Sequence, residues 1–144
     1  MSGSDPLARF VEAQESAGTY ERAARELREG RKRSHWIWFV LPQLAGLGHS
    51  AMSERYAIAS LEEARAYLRH PVLGPRLLEV AEILAGLPGG DAEQVLGPVD
   101  ALKLRSSMTL FARADPDQPL FEAVLARYFG GAPDPLTESL LGGA

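Results

Sequence analysis

Apolar residues recur along this chain at three- and four-residue intervals, and most of these runs are bounded by helix start or stop signals. Asp5-Pro6 pairs a capping side chain with proline at a first helical position, and Leu7, Phe10, Val11 and Gln14 follow at helical spacing to about Ser16. Gly18-Thr19 restarts the chain. Tyr20, Ala23, Ala24 and Leu27 then give a second apolar face, which Gly30 is suited to stop. Ser34 is placed to cap a short buried helix through Leu41, ahead of Pro42. Trp36, Trp38 and Val40 alternate as in a strand, but Ile37, Phe39 and Leu41 are equally apolar, so a period of two is not supported. Gly46 and Gly48 mark residues 43–50 as a loop, and Ser53 to Ala57 form one turn.

The second half reads the same way. Ser60 and Glu63 form a capping box for a helix with Leu61, Ala64, Tyr67 and Leu68, ending at His70-Pro71. A helix from Pro71 or Pro75 to Leu87 carries Leu73, Leu77, Val80 and Leu84 on one stripe. Pro88-Gly89-Gly90 ends it, and Asp91 caps a short helix to Leu96 that Gly97-Pro98 closes. Asp100 to about Arg113 and Pro119 to Phe129 are the last long helices, and Asp134-Pro135 starts a frayed turn. The pattern predicts an all-α fold: one compact domain over residues 5–131, with about six to eight short helices in irregular orthogonal packing. Residues 1–4 and 132–144 are expected to be flexible or frayed ends.

Composition narrows the class. A chain of 144 residues, 46% of them hydrophobic, has room for one core and too much apolar content for disorder. It contains no cysteine, hence no disulfide framework or thiolate chemistry. The three histidines, His35, His49 and His70, match no ligand spacing, so no metal or cofactor is expected. The start of the chain lacks a basic region followed by an apolar run, and no apolar run approaches the roughly 20 residues of a membrane span. A soluble cytoplasmic protein is expected. A net charge of −4 argues against general nucleic-acid binding.

Two blocks concentrate the chemistry. The first, Arg31 to Gln43, holds three cations, a histidine and both tryptophans. Its aromatic residues suit either the core or a stacking wall for a planar ligand. Arg31, Lys32 and Arg33 follow a helix end, where cations complement the macrodipole; they are equally suited to clamp an anion. His35 is either a hydrogen-bonded core histidine or a general acid/base. The second block, Asp100 to Phe111, aligns Asp100, Lys103 and Ser107 on one helical face, with Ser106 beside it. Ser106, Ser107 and Thr109 lower the propensity of that helix, which hints at a specific role. There is no phosphate loop, no dinucleotide fingerprint and no HExxH motif.

These blocks resemble the signature of DUF1810, a bacterial family of unknown function. The resemblance runs through Arg9-Phe10-Val11-x-Ala13-Gln14, then Glu26-Leu27-x-x-Gly30-x-Lys32-x-Ser34-His35-Trp36-x-Trp38-Phe39 with Pro42-Gln43. It continues through Gly46-Leu47-Gly48-x-Ser50 and Glu63-Ala64-x-x-Tyr67-Leu68 to Asp100-x-x-Lys103-Leu104-x-Ser106-Ser107-x-Thr109-Leu110-Phe111. It spans roughly Asp5 to Gly131, implies a compact all-helical fold and brings no established activity. Leu41 departs from it, since an aromatic is common there.

Two functions are therefore expected. The first is a small-molecule enzyme or binder for an anionic, nucleotide-like or ADP-ribose-like ligand. Arg31, Lys32, Arg33 and Lys103 would hold its charge and Trp36 or Trp38 would stack on it. His35 and Gln43 would orient it or move protons, and Ser106, Ser107 and Thr109 would donate hydrogen bonds. The second is a helical protein-interaction module in which the same blocks are core and glue between helices.

Overall fold

The start and stop signals become ten α-helical segments among residues 5–89 and 91–142, the residues that the computed structural model describes. In chain order they are α1 (Ala8–Glu15), α2 (Thr19–Arg28), α3 (Ile37–Val40), α4 (Ala51–Arg55), α5 (Leu61–Arg69), α6 (Leu73–Gly86), α7 (Ala92–Leu96), α8 (Pro98–Ala114), α9 (Pro119–Phe129) and α10 (Pro135–Leu140). Six are eight residues or longer and four are shorter turns. No strand forms among the described residues; Leu44 and Ile58 make one isolated parallel bridge. No helix of the described residues is long and apolar enough to cross a membrane.

Local chemistry explains most boundaries. At the end of α2, Gly30 takes a left-handed φ of 82°, its N–H donates to Leu27 and the Arg31 N–H donates to Glu26. That pair of bonds is a Schellman stop. Ser60 accepts from the Glu63 N–H, while the Glu63 carboxylate reaches the Ala59 N–H, one residue before the position expected of a capping box. The Nδ1 of His70 accepts from Val72 and Leu73, satisfying two free N–H groups at the start of α6. Pro98 opens α8 directly after Gly97, which both ends α7 and begins α8.

The core forms around α8, which packs against α5, α7, α9 and α10, while α6 lies against α2, α5 and α9. Four buried aromatic rings run through its centre. Phe10 meets Tyr67 at 5.4 Å, Tyr67 meets Phe111 at 5.3 Å, and Phe111 meets Phe121 at 5.9 Å. The Gln14 amide bridges the Phe39 carbonyl and the Tyr67 hydroxyl, so this residue is a core fastener. Gly74 lets α6 approach the end of α5: a Cβ there would lie 2.1 Å from the Leu68 carbonyl oxygen.

Two expectations change. Residues 132–142 do not fray; they carry α10 onto α8. Thr137 is buried, the Asp134 N–H donates to Thr109, and Arg113 pairs with Glu138 at 3.2 Å. Polar anchors dock this tail. Ser34 does not cap α3, because its hydroxyl is drawn to Glu26 and the helix begins three residues later, at Ile37. The expected flexible end at residues 1–4 lies outside the described residues, as do Gly90, Gly143 and Ala144.

Candidate functional site

After the stop at Gly30 the chain must turn back across α2, and one carboxylate organises that turn. Glu26 accepts from the Arg33 N–H at 2.8 Å, the Ser34 N–H at 3.1 Å, the Ser34 hydroxyl and the Trp36 indole N–H at 2.9 Å. Burial alone would raise its pKa, but these donors outweigh burial and hold it at about 2. The clamp drives Trp36 into the core, where 1% of its surface remains exposed. Trp38 lies two positions further, on the opposite side of a helical turn, and is only partly buried.

Trp38 thereby faces α8. The Lys103 ammonium lies 4.5 Å from its ring centroid and 3.0 Å from Asp100 Oδ1. Lys32 reaches the other oxygen, Oδ2, at 2.9 Å and lies 5.4 Å from the Trp36 ring. Asp100 is thus shared by two lysines, each against one tryptophan. Burial tends to raise the Asp100 pKa, but the hydrogen bonds and charges of Lys32 and Lys103 lower it overall. The pair of blocks is joined through these five side chains.

Beyond α3 the loop is pinned by backbone. The Ile58 N–H donates to the Gln43 carbonyl at 2.8 Å, and the Ala45 N–H donates to the Ile58 carbonyl at 2.8 Å. With its main chain fixed, the Gln43 side chain is 8% exposed, and its amide nitrogen is buried with no hydrogen-bond partner among the described residues. Leaving such a donor unmet costs about 1–3 kcal/mol.

Gln43 lines a pocket of about 480 Å³. Trp38, the loop through Gly48 and Tyr56 form one wall; Val99, Leu102, Lys103 and Ser106 of α8 form the other; Asp134 and Leu136 close one end. The rim is unusually apolar: Val99 is 64% exposed, Leu102 63% and Leu136 52%. The volume lies within the range of small-molecule sites, about 300–1,000 Å³.

Of the residues singled out in the sequence, Trp38, Gln43, Lys103 and Ser106 line this pocket. The others lie elsewhere. Arg31, Arg33 and His35 are exposed, and Arg33 pairs with Glu29. Lys32 stands behind Lys103, on Asp100. Trp36 is occupied by Glu26. Ser107 is wholly buried, with its hydroxyl unpartnered among the described residues. Thr109 donates to the Arg105 carbonyl. Among the described residues no group of three or more His, Asp or Glu is placed to hold a metal ion. The sequence assigned no site role to Glu26, Tyr56 or the rim of Val99, Leu102 and Leu136. Glu26 carried a signal, since it falls three residues after Ala23 beside the apolar stripe of α2.

The fold has a counterpart among solved structures. The crystal structure of the conserved hypothetical protein Rv1873 from Mycobacterium tuberculosis is similar, with a TM-score of 0.90 and 54% sequence identity over 94% of this chain and 95% of that one. No curated protein matches. The family model described as a protein of unknown function, DUF1810, matches residues 4–141, so the chain belongs to that family.

Proposed function

We propose that the protein binds a small, largely apolar molecule in the pocket between Trp38 and α8, with a hydrogen-bond acceptor on the ligand meeting Gln43. The observation that carries this reading is the unpartnered, buried Gln43 amide nitrogen on the pocket wall. A ligand carbonyl or carboxylate would satisfy the donor that the fold leaves unmet. Trp38, Tyr56, Leu102 and Leu136 offer the apolar contact.

Binding is favoured over catalysis. The Ser106 hydroxyl turns back to the Leu102 carbonyl and Lys103 is turned to Asp100, so the two form no nucleophile–base pair. His35, the candidate proton-transfer group, is off the pocket. A nucleotide diphosphate is a poor match, because Lys103 is the one cation on the lining and Glu54 and Asp134 share it.

The test is a thermal-shift screen with aromatic carboxylates, their amides, nucleotides and ADP-ribose. A ligand at 100 times its dissociation constant adds about 2.7 kcal/mol, which moves the midpoint by several degrees. The expected hit weakens in Gln43→Leu and persists unchanged in Arg33→Ala and His35→Ala. A blank screen, or a hit abolished by Arg33→Ala or His35→Ala, overturns the reading. The exposed Val99, Leu102 and Leu136 favour a second reading, a partner-docking face. Its signature would be a blank screen together with a protein complex lost in Leu102→Asp.

A further inference from the structure

We infer that the pocket selects a monocarboxylate, with Lys103 as the residue that reads its charge. This rests on the pocket being a ligand site and goes on to name the class of ligand. Lys32 and Lys103 carry two positive charges and share the single negative charge of Asp100. The group therefore keeps one uncompensated positive charge, and it faces the pocket through Lys103, the one cation on a lining that also carries Glu54 and Asp134.

The two lysines are not equivalent. The Lys32 side chain is the more deeply buried, holds Asp100 at 2.9 Å and does not line the pocket. The Lys103 side chain is the more exposed and does line it. Lys103 can turn from Asp100 to an incoming anion while Lys32 keeps Asp100 paired, so no buried carboxylate is stranded. The Trp38 ring beneath the ammonium keeps it at the wall throughout.

The donor set then fixes the anion. Lys103 supplies one charged donor and Gln43 one neutral amide donor, which matches the two oxygens of a carboxylate. A phosphate brings a second charge and a third oxygen, for which the lining holds no further cation. Among the described residues Lys103 pairs with Asp100 and with neither Glu54 nor Asp134, whose Oδ2 accepts from the Thr137 N–H at 3.0 Å and hydroxyl at 2.6 Å. The apolar rim requires the rest of the ligand to be aromatic or alkyl.

The test compares matched acids and amides. Isotope-labelled protein is titrated with indole-3-acetate and indole-3-acetamide, and with hexanoate and hexanamide, at low and high salt, by nuclear magnetic resonance. The acids are expected to bind about tenfold more tightly than the amides. That preference should shrink at high salt, vanish in Lys103→Met and survive in Lys103→Arg, while Gln43→Leu weakens acid and amide alike. Equal binding of acid and amide, or a preference that survives in Lys103→Met, overturns the carboxylate assignment and leaves the pocket standing. Failure of all four compounds to bind overturns both. The amide spectrum of the core helices reports in the same experiment that each variant is folded.

Discussion

Lys103 holds its ammonium 4.5 Å from the centre of the Trp38 ring, and this contact joins the two chemically rich blocks of the chain. Asp100 completes the junction by accepting from Lys103 at 3.0 Å and pairing with Lys32 at 2.9 Å. Removing the carboxylate should hurt more than removing either cation. Asp100→Asn leaves two lysines facing each other and is expected to lower stability by about 2 kcal/mol. Lys32→Met leaves one lysine on the carboxylate and should lower it by less than about 1 kcal/mol. Urea unfolding of the two variants checks the order, and a larger loss for Lys32→Met would refute it.

The Glu26 clamp makes a pH prediction. Its carboxylate pKa is lowered from 4.5 to about 2 in the folded protein. A depressed folded value means stability that is fully present above the unfolded pKa and is lost as pH falls through 4.5 toward 2. Allowing for solvent screening, the linked stability is on the order of 2 kcal/mol. Glu26→Gln should therefore unfold more readily than the parent at pH 7 and approach it near pH 2. Chemical denaturation across that range measures the convergence.

Two glycines of α6 should respond in opposite directions. Gly74→Ala forces a methyl against the Leu68 carbonyl, which is backbone and cannot step aside, so α5 and α6 must separate. A loss of about 2–3 kcal/mol is expected. Gly86→Ala meets nothing within 4 Å and should gain about 0.5–1 kcal/mol from helix propensity. Thermal melts of the pair test the close approach directly, since propensity alone would make both stabilising.

Gln43→Leu separates folding from function. It replaces a buried, unpartnered amide with an apolar group of similar size, so stability should hold or rise by up to about 1–3 kcal/mol. The same change removes the ligand donor. A calorimetric melt showing marked destabilisation would mean that the amide is satisfied in the folded protein.

Much of the fold was legible because helix ends have local chemistry. Gly30, Ser60, Asp91 and Pro98 act within a few residues of themselves, and each boundary follows from them. The site was less legible because it is assembled across distance. Nothing local shows that Lys103 crosses to Trp38, or that α10 returns to close the pocket with Leu136. The basic run drew attention as a clamp, yet Arg33 is tied to Glu29 and Lys32 to Asp100. The two tryptophans carried a readable clue: residues two apart on a helical turn face opposite ways, so one enters the core and one remains for the pocket. Gln43 illustrates the limit, because its pinned backbone depends on Ile58, far along the chain.

The most direct measurement follows the Gln43 side-chain amide resonances while the isotope-labelled protein is saturated with indole-3-acetate. A donor that gains an acceptor in a buried pocket should shift downfield and become protected from solvent exchange, together with backbone amides of residues 43–48 and 102–106. Ligand binding that leaves the Gln43 amide unmoved, or that shifts the exposed Arg31 to His35 segment instead, would contradict the assignment of this pocket as the ligand site.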